Sequence, residues 1–129
     1  MRCNLLKLLS IFLTCSMCAP ASGGGWKYCK VSWYPRGPRG TNPYHTVAHR
    51  TLPKGTWIEI ENVDRHSPLR GRRKVAKVGD RGPKKWTGRD LDAVLLTYRG
   101  FDLPSRGVCD VRYRVWRGRP PLPTSAKKS

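Results

Sequence analysis

Short segments of alternating apolar and polar residues, separated by turns, are the feature of this sequence that most constrains its fold. Four segments show the alternation: residues 28–34, 57–63, 74–78 and 109–116. In the second segment Ile58 and Ile60 flank a glutamate, which predicts a strand with one inward and one outward face. Stretches rich in Pro and Gly, such as 35–43 and 79–83, separate the segments. The pattern predicts a small, mainly β domain, most simply a barrel.

A helix is predicted after residue 90. Apolar side chains recur there at helical spacing, at Leu91, Val94, Leu95 and Tyr98. Asp90 or Asp92 is suited to cap the first turn, and Gly100 to end the helix. One or two short helices are therefore expected beside the strands.

The first 21 residues have the three parts of a secretory signal. Arg2 and Lys7 give a positive start, residues 8–18 form an apolar run, and small residues end the segment at Ala21. A run of this length is too short to span a bilayer as a helix, and the alternative is a short buried helix. The segment predicts a protein that is secreted or held in the cell envelope.

The same segment gives poor support for a lipid anchor. A lipidated cysteine needs a small residue before it, whereas Thr14 precedes Cys15 and Met17 precedes Cys18. Cleavage after the signal leaves two of the five cysteines, Cys29 and Cys109. An even number of cysteines in an exported protein predicts a disulfide, and two buried free thiols are the alternative.

The rest of the chain divides into a leader, a domain and a tail. Residues 22–27 are a Gly-rich flexible leader, and residues 28–116 contain all the predicted strands. Residues 117–129 are basic and rich in Pro, and this composition is typical of disorder. Nothing in the sequence indicates an oligomer, so a monomer is expected.

The charge is strongly unbalanced. The chain has 26 Lys and Arg against 8 Asp and Glu, a net charge of +18. Such a charge favours anionic polymers, either nucleic acid or an acidic wall glycan. A predicted export signal argues against an intracellular nucleic acid, which leaves peptidoglycan or another anionic cell-wall polysaccharide. The alternative is that the basic residues only keep the surface solvated.

Several segments, in order, resemble the rare lipoprotein A family of double-psi β-barrels. Residues 31–34 are similar to its A-S-W-Y strand, and residues 46–56 (TVAHRTLPKGT) to its T-A-A-H-R-T-L-P-F-G-T segment. Residues 78–83 (VGDRGP) resemble I-N-D-R-G-P, and residues 88–92 (GRDLD) resemble the D-L-S motif. The resemblance implies a six-stranded double-psi β-barrel with a polysaccharide-binding groove. Bacterial members are peptidoglycan lytic transglycosylases, whereas expansins carry the barrel and some lack hydrolysis.

The resemblance also implies the site residues. Asp80 matches the motif aspartate and is the candidate acid and base, with His49 as its helper across the groove. The candidate substrate-binding residues are Trp33, Tyr34, Arg50, Arg81, Trp86 and Asp90. Aromatic faces stack on sugar rings, and burial in the core is the alternative for each aromatic residue. Without the resemblance, Asp80 reads as a turn residue, His49 as a structural histidine and Asp90 as a helix cap. No cofactor or metal is expected, because the prolines around His45 and His49 leave no room for a zinc-binding helix.

One departure from the family bears on catalysis. Family members carry a longer loop with a glutamate after the first strand, whereas residues 35–44 here contain no acid. Three hypotheses follow. The first is a secreted lytic transglycosylase, which can work with one carboxyl group. The second is a non-catalytic binding module of the same fold, and the third is a secreted basic toxin or antimicrobial.

Overall fold

The computed structural model describes residues 25–119, so the predicted signal at 1–21 and most of the tail lie outside the described part. The chain forms a closed six-stranded barrel with one short helix, α1 (Leu95–Tyr98), and two 3-10 turns. The strands are β1 (Lys27–Tyr34), β2 (Thr46–His49), β3 (Trp57–Asn62), β4 (Arg73–Arg81), β5 (Leu91–Val94) and β6 (Val108–Val115). The predicted six-stranded, mainly β barrel is confirmed. No helix within the described residues is long and apolar enough to cross a membrane.

The ring of strands runs in the order β1-β5-β2-β4-β3-β6 and closes between the first and last strands. β1 pairs with β6 antiparallel and with β5 parallel, and β2 pairs with β4 parallel and with β5 antiparallel. β3 lies antiparallel to both β4 and β6. This crossed order places β2 at the centre of a three-strand face, between β4 and β5, and that face carries the site described below.

The barrel interior is filled by the apolar side of each alternating strand. Fully buried aliphatic side chains come from all six strands, and Tyr98 and Phe101 belong to the same core. The largest of these aliphatic side chains are Ile58, Ile60, Leu91, Val31, Val47, Val78, Val94 and Val111. Burying one such side chain contributes about 1.5–3 kcal/mol, so this shared core accounts for much of the stability of a domain this small.

The predicted helix is wrong in its first half. Residues 91–94 are strand β5, and the helix begins only at Leu95, with no side chain capping its start. Strand β5 has hydrogen-bonding partners on both sides, in β1 and β2, and this pairing outweighs the local helical spacing. Asp90 and Asp92 are therefore not helix caps, and both lie at a strand.

The predicted end of the fourth strand is also wrong. We expected residues 79–83 to form a turn, but β4 continues to Arg81. Gly79 lies within the strand, where a Cβ atom would come within 3.1 Å of the methyl groups of Thr41 and Thr46. The turn begins at Gly82, whose φ of 133° is a backbone conformation that favours glycine. Asp80 is consequently a strand residue, and its interpretation as a turn residue is wrong.

The predicted disulfide between Cys29 and Cys109 is not formed, and both residues are free thiols. In the β1–β6 pair, Cys29 lies opposite Val111 and Cys109 lies opposite Val31. The two cysteines are therefore diagonal neighbours, roughly 7–8 Å apart by general sheet geometry, which is farther than a disulfide allows. Burial raises the pKa of Cys29 to about 12, so its thiol stays protonated at neutral pH.

A buried polar network fixes the loop between β3 and β4. Asp102 is 1% exposed and accepts hydrogen bonds from Ser67 Oγ at 2.6 Å and Tyr98 OH at 2.8 Å. Arg106 donates to Asp102 at 3.1 Å and pairs with Asp64 at 2.7 Å. Although burial disfavours the charged carboxylate, these hydrogen bonds outweigh it and lower the pKa of Asp102.

Candidate functional site

The candidate site is organised by one row of residues across the three-strand face. On β2, Ala48 pairs with Asp80 of β4 on one side and with Asp92 of β5 on the other. Asp92 in turn pairs with Ser32 of β1. Because neighbouring strands are about 4.8 Å apart, the two aspartates are about 10 Å apart at the backbone. The methyl group of Ala48 leaves the space between them open.

Asp80 is held by two neutral donors. The hydroxyl of Tyr34 donates to Oδ2 at 3.1 Å, and the backbone N–H of Arg81 donates to Oδ1 at 2.8 Å. Burial, and then the neighbouring Asp80 charge, raise the pKa of the Tyr34 phenol. Tyr34 is therefore a permanent donor that orients the carboxyl group without neutralising it.

Asp80 differs from every other acidic residue in its charge environment. Seven of the eight acids form ion pairs with lysine or arginine: Glu59, Glu61, Asp64, Asp90, Asp92, Asp102 and Asp110. No lysine or arginine among residues 25–119 lies at ion-pair distance from the Asp80 carboxyl group. In a chain with 26 basic residues, Asp80 is thus the one acid of residues 25–119 whose carboxyl group has no ion-pair partner.

The side chain of Asp80 lines an open cleft of about 320 Å³, which we call the Asp80 cleft. Tyr34, Ala48 and Asp92 form its strand side, and Lys84, Thr87 and Arg89 form its loop side. The volume falls at the small end of the range for ligand sites in proteins. Acid, hydroxyl and cationic groups therefore converge on one surface depression.

Asp92 is a cleft residue that the sequence analysis did not assign to the site. Its carboxylate accepts hydrogen bonds from Ser32 Oγ at 2.9 Å and from Arg89 Nε at 2.9 Å. It stands where the family's D-L-S motif has serine, and it supplies a second carboxylate to a cleft whose preceding loop lacks the family's glutamate. The departure from serine was the signal that could have identified it.

His49 does not contact Asp80. Its Nε2 lies 2.9 Å from the hydroxyl of Tyr113, and that hydroxyl donates to Asp90 Oδ2 at 3.0 Å. Its Nδ1 accepts hydrogen bonds from the backbone N–H groups of Thr51 and Leu52, both at 3.0 Å. These bonds require a neutral ring with its proton on Nε2. His49 lines a separate pocket beside Tyr113.

Because His49 is neutral in the folded protein, the free energy of unfolding should depend on pH. Burial lowers the pKa of His49 from its ordinary value of 6.5, with the Arg81 and Arg50 charges acting in the same direction. The unfolded chain therefore binds the proton more readily. Stability should fall as pH decreases below 6.5, by at most about 1.4 kcal/mol per pH unit for one proton. Urea unfolding at several pH values between 7.5 and 5.0 measures this change in the free energy of unfolding.

The matched comparison for that measurement uses two asparagine variants. His49→Asn keeps an acceptor in place of Nδ1 but cannot titrate, so the slope below pH 6.5 should decrease. The control, His66→Asn, removes an exposed histidine instead. An unchanged slope in His49→Asn would show that His49 is not the titrating group.

The remaining predicted binding residues are spread around the barrel. Asp90 pairs with Arg50 at 3.4 Å and belongs to the Tyr113 side. Trp33 is partly buried against the core and donates from Nε1 to the carbonyl of Pro104. Trp86 is 80% exposed in the 3-10 turn Lys85–Thr87, but it is not among the residues that line the Asp80 cleft. The structure therefore groups Tyr34 and Arg81 with Asp80.

Arg81 has a structural contact as well as a place in the cleft. Its Nη1 donates to the carbonyl groups of His49 at 2.9 Å and Leu52 at 2.7 Å. These bonds fix the guanidinium group at the end of β2. Its positive charge is therefore held in place, with no carboxylate partner among residues 25–119.

Comparisons with known proteins point to one family. The chain is 34% identical over 71 residues to an endolytic peptidoglycan transglycosylase RlpA of Helicobacter pylori strain J99. It is 34% identical over 67 residues to a probable endolytic peptidoglycan transglycosylase RlpA of Treponema pallidum. These matches cover 55% and 52% of this chain but only 21% and 19% of the relatives, so the chain spans about one-fifth of their length. No protein-family model matches. The resemblance to the rare lipoprotein A family is confirmed by these similarities together with the closed barrel.

Proposed function

We propose that this rare lipoprotein A-like barrel is a cell-wall-directed protein that cleaves peptidoglycan glycan strands by lytic transglycosylation, with Asp80 as the acid and base. The observation that carries the proposal is the charge environment of Asp80, the one acid without an ion pair among residues 25–119. The similarity to RlpA proteins supports peptidoglycan as the substrate. The predicted signal segment supports action outside the cytoplasm.

The first half of the reaction is protonation of the glycosidic oxygen. The Asp80 carboxyl group gives its proton to that oxygen as the bond to C1 breaks and an oxocarbenium-like state forms. Tyr34 and the Arg81 backbone N–H hold the carboxyl group in one orientation. Asp92, which Ser32 and Arg89 hold in place, adds a second carboxylate to the cleft. Its negative charge stabilises the positive charge of the oxocarbenium-like state.

The second half needs no water. The Asp80 carboxylate takes the proton of the sugar's own 6-hydroxyl group, and the 6-oxygen forms a bond to C1. The products are a 1,6-anhydro end and a free hydroxyl on the leaving strand, and Asp80 recovers its proton. One carboxyl group thus performs both steps, so the acid-free loop at 35–44 does not prevent the reaction.

The second candidate is a binding module without catalysis, and two observations favour it. The loop that carries a glutamate in the family has no acid here. Asp92 is ion-paired with Arg89, so its charge is largely compensated. In this case the Asp80 cleft would hold glycan without cleaving it.

Isotope-labelled water separates these possibilities. Purified protein is incubated with isolated glycan strands in ¹⁸O water, and the products are analysed by mass spectrometry. Lytic transglycosylation predicts 1,6-anhydro ends without ¹⁸O. Reducing ends that carry ¹⁸O would show a hydrolase instead. Absence of both products, with protein that still sediments with the strands, would leave the binding module.

A further inference from the structure

A second cleft adjoins the Asp80 cleft and is lined by four basic residues. We call it the cationic cleft, and its charged residues are Arg50, Arg81, Lys84 and Lys85. Its volume is about 420 Å³, and Thr51, Gly82 and Pro83 complete its lining. No Asp or Glu among residues 25–119 lines it. Positive charge is therefore concentrated in this cleft, in addition to the excess of basic residues over the whole chain.

The charges in this cleft are mostly uncompensated. Only Arg50 has a carboxylate partner, Asp90 at 3.4 Å. Arg81, Lys84 and Lys85 form no ion pair with any acid of residues 25–119. Three basic groups that share one concave surface without counter-charges repel one another, and an anionic ligand relieves that repulsion.

The two clefts are adjacent, because Arg81, Gly82, Pro83 and Lys84 line both of them. A polymer long enough to extend past the Asp80 cleft would therefore meet the cationic cleft. Trp86 follows the cleft residue Lys85 in the chain and is 80% exposed, with Lys84 Nζ 5.3 Å from its ring centroid. An exposed tryptophan next to a cation offers a stacking surface for a sugar ring and a charge for its substituent.

We propose that the cationic cleft is a subsite for an anionic substituent, a carboxylate or a phosphodiester, on the polymer that occupies the Asp80 cleft. This proposal rests on the proposed function for the identity of the neighbouring cleft. Arg81, whose Nη1 is anchored on two carbonyl groups, provides the fixed charge. Lys84 and Lys85, which are exposed, provide charges that adjust to the position of the anion.

The experiment measures binding, so that it does not depend on cleavage. Fluorescent probes of three kinds are titrated at low and high salt: a neutral N-acetylglucosamine hexamer, a hexamer alternating N-acetylglucosamine with glucuronate, and a glycerol phosphate oligomer. The double variant Lys84→Gln/Lys85→Gln should weaken binding of an anionic probe by about tenfold at low salt, a much larger loss than for the neutral probe. The control Arg70→Gln/Arg72→Gln removes the same charge from the exposed loop between β3 and β4.

The outcomes distinguish the sources of the anion. If only the glucuronate probe binds more tightly than the neutral probe, the subsite recognises a carboxylate. If only the phosphate probe does, it recognises a phosphodiester. If both do, it accepts either anion. Equal affinity for charged and neutral probes would overturn the subsite, as would an equal loss in the Arg70/Arg72 control. The same titration with Asp80→Asn separates the two proposals, because that variant should keep its preference for anions. If anion preference persists while wild-type protein never cleaves glycan, only the proposed reaction fails.

Discussion

Replacement of Asp80 by asparagine should lower the rate of glycan cleavage by a factor of about 10²–10⁴. Asparagine has nearly the same shape but carries no proton that it can give to the glycosidic oxygen. Its amide can still accept from the Arg81 N–H, and the Tyr34 hydroxyl can accept from the amide nitrogen. The fold and the affinity for glycan should therefore remain, and only turnover should fall. Release of 1,6-anhydro ends over time measures the rate.

Asp110→Asn is the matched control for this loss. Asp110 is an aspartate on a strand, like Asp80, but it pairs with Lys30 and lines a different surface. Its replacement should leave the cleavage rate unchanged. Equal rates in wild type and Asp80→Asn would show that Asp80 is not the acid. The other carboxylate of the cleft, Asp92, would then be the next candidate.

Replacement of Asp102 by alanine should lower the free energy of unfolding by about 3–5 kcal/mol. The change leaves the hydroxyl groups of Ser67 and Tyr98 without their acceptor, in a site that is almost fully buried. It also leaves Arg106 with only one carboxylate, that of Asp64. Since small domains have total stabilities of about 5–15 kcal/mol, the variant should be close to unfolding at 37 °C. Chemical denaturation followed by circular dichroism gives the value.

Two further variants make this result specific to the buried network. Asp102→Asn keeps the shape and part of the hydrogen bonding, so it should destabilise less than alanine. Asp110→Ala breaks an exposed ion pair and should change stability little. If Asp102→Ala and Asp110→Ala had the same effect, the network around Asp102 would not stabilise the loop as described.

The strands that could be predicted are those with one face to the core and one face outward. The segments that form β1, β3, β4 and β6 alternate in the sequence, and each has buried apolar side chains on one face, such as Ile58 in β3 and Val111 in β6. β2 does not, since all four of its residues are buried. β5 was misread because four apolar residues at helical spacing span the end of a strand and the start of a helix. Whether residues 91–94 form a helix or a strand is decided by their pairing with β1 and β2, which are distant in sequence. The local sequence does not show that pairing.

The part of the candidate site that lies in sequence motifs could be predicted. The D-R-G-P motif selected Asp80 as the candidate acid, and Tyr34, a predicted binding residue, donates a hydrogen bond to it. The partner of His49 was not predictable, because it depends on the register that brings Tyr113 of β6 beneath the end of β2. The cationic cleft was also missed, since its residues come from two separate stretches of chain, 50–51 and 81–85.

Under the proposed function this basic domain would accumulate on an anionic polymer, and there the closure of the barrel between β1 and β6 has a consequence. Binding of that kind raises the local protein concentration, and open strand edges at high concentration template edge-to-edge aggregation. Within residues 25–119 every strand is paired on both sides. The domain can therefore crowd along a charged surface while each molecule keeps its backbone hydrogen bonds to itself.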